Sequence, residues 1–88
     1  MPQPQNIVGP RVKLLRRERG LTQAMLAARC GLLGWDIGEN IVTKIETCVR
    51  CVTDAELACL AKALDADAND LLPPKDQVKA TVMAFFAK

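Results

Sequence analysis

Two segments constrain this chain more than anything else in it: Gly20-Leu-Thr-Gln-Ala-Met-Leu-Ala-Ala-Arg-Cys-Gly31 and, further on, Ile41-Val-Thr-Lys-Ile-Glu46. Thr22 stands where a helix N-cap belongs, because its hydroxyl can accept from an amide left free in the first turn. Leu26, Ala27 and Cys30 then recur at helical spacing, as do Ile41, Val42 and Ile45 in the second segment. Each short helix so defined has one apolar stripe and polar tips, and neither can bury its stripe alone.

With 88 residues, the chain makes one small domain, near the lower end of what folds without staples. Half of it is hydrophobic, but only one Trp, two Phe and no Tyr are present, so the core must be aliphatic. Alternating Val/Ile/Thr/aromatic runs bounded by hairpin turns are lacking. The expectation is an all-α fold.

Met1 to Val8 holds two prolines among polar residues and reads as a flexible tail, residues 1–8. Gly9-Pro10 opens the first helix, since Pro suits a first turn; Val12 and Leu15 line its inner face and Gly20 stops it. The Thr22 helix ends at Gly31 or one turn later at Gly34. A turn from Trp35 to Gly38 follows, with Ile37 inward, and a third helix covers 39–47. Thr53 and Glu56 spell a capping box before Leu57, Leu60, Ala61 and Leu64, which places a fourth helix over 54–64. A single turn starts at Asp67 or Ala68 and ends at Leu72, before Pro73-Pro74. Val78, Val82, Phe85 and Phe86 mark a last helix over 76–87.

The net charge of +2 is unevenly spread. Residues 1–50 carry eight basic and four acidic groups, whereas residues 51–88 carry four and six. Such an asymmetry orients a protein on a polyanion, although a merely solvated basic face on the first helix gives the same pattern. A charged-then-apolar leader and an apolar run of about eighteen residues are both lacking, which leads us to expect a cytoplasmic protein with no membrane span and with reduced thiols.

Gly9-Pro-Arg-Val-Lys-Leu-Leu-Arg16-Arg-Glu-Arg-Gly20-Leu-Thr-Gln23-Ala-Met-Leu-Ala-Ala resembles the opening of the lambda-repressor-like, Cro-type (XRE) helix-turn-helix family. Ile41 to Glu46 is similar to its recognition helix, and Leu57-Ala-Cys-Leu-Ala-Lys-Ala-Leu64 with Asn69-Asp-Leu-Leu72-Pro to its last two helices. The resemblance spans about residues 9–73. It implies a five-helix domain that binds double-stranded DNA, the third helix entering the major groove; beyond it, the spacing of Val78, Val82, Phe85 and Phe86 adds a C-terminal helical segment at 74–88, a candidate dimer element. Between Gly31 and Glu46 the chain is longer than the family pattern, which leaves open how the two helices are angled around Trp35.

On this resemblance Gln23 meets the phosphate backbone and braces base-reading side chains. Glu39, Asn40, Thr43 and Lys44 face base edges, and Thr47 and Arg50 lie near adjoining phosphates. The side-chain chemistry agrees: Asn pairs with adenine, Lys donates to guanine, and Glu accepts from the cytosine amino group. Glu39 otherwise repels phosphate, so it either reads a base or turns away. The resemblance pairs Arg16 with Glu46 in a structural salt bridge between the first and third helices, which fits the need of a charge among Leu and Val for a partner, since an unpaired buried charge costs several kcal/mol. Arg11, Lys13 and Arg17 are further candidates for phosphate contacts, which position a protein without reading sequence.

Cys48-Val-Arg-Cys51 invites a metal or redox reading. Structural zinc needs four ligands and the chain has no His, so no metal and no cofactor are expected. Cys30 and Cys59 fall on inward helical positions, where Cys acts as a small hydrophobe. Phosphate-cradling glycine loops and paired acidic residues are missing too, which points away from an enzyme. A transcription regulator acting as a homodimer on two half-sites is therefore the leading expectation. The last helix either pairs with a second copy or packs back on its own domain. Two alternatives stay open: a protein-interaction module of antitoxin or antirepressor type, and a redox sensor using Cys48 and Cys51.

Overall fold

The computed structural model describes residues 3–87. Six α-helices follow one another: α1 Gly9–Glu18, α2 Gln23–Leu32, α3 Glu39–Glu46, α4 Asp54–Ala63, the single turn α5 Ala68–Leu71, and α6 Val78–Phe86. A 3-10 turn, Lys75–Gln77, leads into α6. The described residues include no strand. The fold is all-α, as expected.

Local chemistry starts and stops these helices. Thr22 Oγ1 accepts from the Met25 amide at 3.1 Å at the head of α2. At the head of α4, Thr53 Oγ1 accepts from the Glu56 amide at 3.2 Å while Glu56 Oε1 accepts from the Thr53 amide at 2.9 Å, a complete capping box. The C-termini share one solution. In α1 to α4 the residue after the C-cap takes a left-handed conformation and paired amide-to-carbonyl bonds close the end: Gly20 (φ 69°), Gly34 (φ 100°), Cys48 (φ 63°) and Asp65 (φ 53°). Gly34 rather than Gly31 terminates α2, so the extra chain is absorbed by one further turn of helix and a turn over residues 33–38.

Val12, Leu26, Cys30, Val42, Ile45, Leu60, Leu64 and Leu71 are fully buried and form the centre of an aliphatic core shared by α1 to α5. Ile41, Leu57, Trp35 and Ile37 pack at its edge. Phe85 and Phe86 lie outside the buried core, meeting edge to face with centroids 5.0 Å apart.

One stretch differs from the expectations. Residues 5–8 are docked rather than loose: the Gln5 amide donates to the Cys48 carbonyl at 2.8 Å, and Val8 is buried in the core. Asn6 explains the docking. Its Oδ1 accepts from the amides of Val8 (3.1 Å) and Gly9 (2.8 Å), while its Nδ2 donates to the carbonyls of Ile45 (3.1 Å) and Arg50 (2.8 Å). One buried amide thus serves the start of α1 and the end of α3. Residues 1 and 2 of the expected tail lie outside the described residues. Helix α6 forms where it was expected, and none of its residues is buried. Val78, Val82, Met83 and Phe86 are exposed, and Gln3 Nε2 bonds the Phe85 carbonyl at 2.6 Å.

Candidate nucleic-acid interface

Helix α3 is two-faced. Val42, Ile45 and Glu46 are buried, whereas Glu39, Asn40, Thr43, Lys44 and Thr47 are all exposed. Its close packing against both α1 and α2 sets the exposed row beside the start of α2.

A hydrogen-bonded chain fixes that arrangement. Arg16, 8% exposed, and Glu46, 7% exposed, meet bidentately: Nε to Oε2 at 2.6 Å and Nη2 to Oε1 at 3.1 Å. Arg16 Nη1 also donates to the Leu21 carbonyl at 2.8 Å, so the guanidinium ties α1, the α1–α2 turn and α3 together. The hydrogen bond to Glu46 holds the Arg16 pKa above its ordinary value against the desolvation of burial. Gln23 Nε2 donates to the same Glu46 Oε1 at 3.0 Å, which fixes the orientation of its amide. Gln23 Oε1 then accepts from Thr43 Oγ1 at 2.8 Å, so a residue of the exposed row is braced through Gln23 to the buried pair. Thr47 Oγ1 donates back to the Thr43 carbonyl at 2.7 Å, a bond within its own helix. Glu39 occupies the first turn of α3, where a carboxylate is favoured by the helix dipole without any partner.

The basic groups divide by what holds them. Arg19 donates to the carbonyls of Leu64 (2.9 Å) and Asp65 (3.3 Å), and Arg29 to that of Ala63 (3.1 Å). Two arginines from the first half of the chain therefore cap the C-terminus of α4. Arg11 Nε reaches the Asp70 carbonyl at 2.9 Å. Arg50, expected near phosphates, has protein partners. Its guanidinium is paired with Glu56 at 3.1 and 3.2 Å and stands 5.7 Å from the centroid of the Trp35 ring. Burial pushes the Glu56 carboxyl up, but hydrogen bonds from Arg50 and Thr53 outweigh it and hold it below the usual carboxylate range. Lys13, Arg17 and Lys44 are exposed and have no such partner among the described residues.

Sequence reasoning missed Asn6, Arg19 and Arg29. Asn6 had a faint signal, a cap-type residue just ahead of a Gly-Pro helix start. The two arginines had none, since their partners lie 34 to 46 residues away. Among the described residues no three His, Cys, Asp or Glu side chains gather where they could hold a metal ion. No helix there is long and apolar enough to cross a membrane.

Two short helices packed on each other, the second with a buried inner face and a polar outer one, define a helix-turn-helix regulator fold. The comparisons agree. The restriction-modification controller protein C.AhdI from Aeromonas hydrophila is 31% identical, with a TM-score of 0.66, over 74% of this chain and 87% of its own. A hypothetical transcription factor, NHTF from Neisseria, is 25% identical with a TM-score of 0.66 over 91% of each chain. The chain belongs to the family of helix-turn-helix regulators that C.AhdI represents. No protein-family model and no curated protein matches it.

Proposed function

We propose that this protein is a sequence-specific transcription regulator of the Cro-type (XRE) class, bacterial or phage in type, that inserts α3 into the major groove of double-stranded DNA. The observation that carries this reading is the exposed row Glu39, Asn40, Thr43, Lys44 and Thr47, braced through Gln23 onto the buried Arg16–Glu46 pair. A groove reader needs such rigidity, because base contacts discriminate only when side chains are held in place. Asn40 and Lys44 supply direct readout, Gln23 supports it, and Arg11, Lys13 and Arg17 contact phosphates. Its place of action is the cytoplasm.

A homodimer on two half-sites roughly 34–36 Å apart completes the proposal. The apolar residues that α6 leaves exposed support it: a nine-residue helix is marginal in water on its own and gains from cover by a second copy. The test is selection of duplexes from a random pool, followed by binding at rising salt. A consensus with two related half-sites, bound ever more weakly as salt rises, is the expected result. Absence of binding to any duplex at low salt overturns the proposal.

A further inference from the structure

The four thiols are grouped differently in space than along the chain. The spelling Cys48-x-x-Cys51 suggests a pair, yet Cys48 Sγ packs on the Gly9 backbone and Cys51 Sγ donates to Gln5 Oε1 at 3.8 Å. Cys30 and Cys59, 29 positions apart, meet instead where α2 packs on α4. Cys59 Sγ lies 4.0 Å from the Cys30 carbonyl oxygen. Cys30 is fully buried, whereas Cys59 is partly open to solvent. An accessible thiol beside a sheltered one is the arrangement that a two-step oxidation requires.

We propose that Cys59 and Cys30 form a redox pair in which hydrogen peroxide oxidises Cys59 and Cys30 closes a disulfide that staples α2 to α4. In the first step the Cys59 sulfur attacks one peroxide oxygen. An S–O bond forms, the O–O bond breaks, and the other oxygen leaves as water with the thiol proton. In the second step the Cys30 sulfur attacks the Cys59 sulfenic sulfur. An S–S bond forms, the S–O bond breaks, and the hydroxyl leaves as water with the Cys30 proton. Two thiols are oxidised and one peroxide is reduced to two waters.

Exposure assigns first attack to Cys59, the thiol a peroxide can reach; burial pushes the Cys30 thiol up to about 12, so Cys30 loses its proton only as it attacks the sulfenic sulfur. The bridge would restrain the unfolded chain between the two helices and so stabilise the fold.

The test treats the full chain carrying Cys48→Ser and Cys51→Ser with hydrogen peroxide at neutral pH, and reads intact mass, peptide linkage and melting. The expected result is a mass loss of about 2 Da, a Cys30–Cys59 peptide link, and a melting temperature raised by roughly 10 °C. Reductant should reverse all three. Adding Cys30→Ser should leave Cys59 as a sulfenic acid that dimedone traps. Two outcomes overturn the proposal: over-oxidation of Cys59 without a bridge, or links between chains only. In the unsubstituted chain, a Cys48–Cys51 link formed in place of Cys30–Cys59 does so as well.

Discussion

The Asn6 amide donates to the Ile45 carbonyl at 3.1 Å, which bolts the beginning of the chain to the last turn of the proposed reading helix. The same side chain accepts from the Gly9 amide at 2.8 Å, where α1 starts. Asn6→Asp keeps the shape but turns two donated hydrogen bonds into oxygen facing oxygen. We expect a loss of about 2–4 kcal/mol, read as a lower urea midpoint with an unchanged slope. Asn6→Asp melting like the parent would show that this junction is dispensable.

How much of this was legible in the sequence follows from the range of each interaction. Thr22 and Thr53 could be read as caps because their partners lie within one turn. The buried Arg16–Glu46 pair could be expected because a charge among Leu and Val demands a counterion, and the family resemblance supplied which one. Asn6 could not: its donors' partners, Ile45 and Arg50, lie 39 and 44 residues on. Nor could Arg50, whose pairing with Glu56 depends on how the chain turns after α3. A residue's type announces what it needs, and only the fold decides who provides it.

Arg16→Ala should strand Glu46 inside the protein and leave Gln23 without a fixed acceptor. We expect about 3–5 kcal/mol of destabilisation, seen as a large drop in melting temperature. The double substitution Arg16→Met with Glu46→Leu removes both charges together and should recover most of it, since apolar replacements of buried pairs are often neutral. If the double variant is as unstable as the single, the lost bond to Leu21 rather than the orphaned carboxylate dominates.

Asp65 holds a left-handed conformation (φ 53°) that costs a side-chain residue roughly 1 kcal/mol. It also places a negative charge at the negative end of α4. Asp65→Gly should therefore stabilise the protein by about 1 kcal/mol, raising the melting temperature by about 4–8 °C. Arg19 bonds the backbone oxygen here, so that contact survives the substitution.

Glu56 titrates below the usual carboxylate range, so its stabilising effect is present above the unfolded value near 4.5 and is lost as pH falls through the lower folded value. The pH dependence of the melting temperature should be steeper in that acid window for the parent than for Glu56→Gln. Gln preserves the capping box, because its Oε1 still accepts from the Thr53 amide, and removes only the charge facing Arg50. Identical acid profiles for the two proteins would remove Glu56 from the account.

Lys44 and Arg17 are both exposed cations without a partner among the described residues, yet they stand on different helices and should fail differently. Lys44 lies in the exposed row of α3, where a base contact discriminates by about 1–3 kcal/mol. Lys44→Ala should thus flatten preference at one position of a selected site, with the melting temperature unchanged. Arg17 lies on α1, where a phosphate contact carries no sequence information. Arg17→Ala should weaken all duplexes alike and lower the salt slope by about one. If both variants weaken every duplex equally, Lys44 touches only phosphate, and the reading falls to Asn40 and its neighbours.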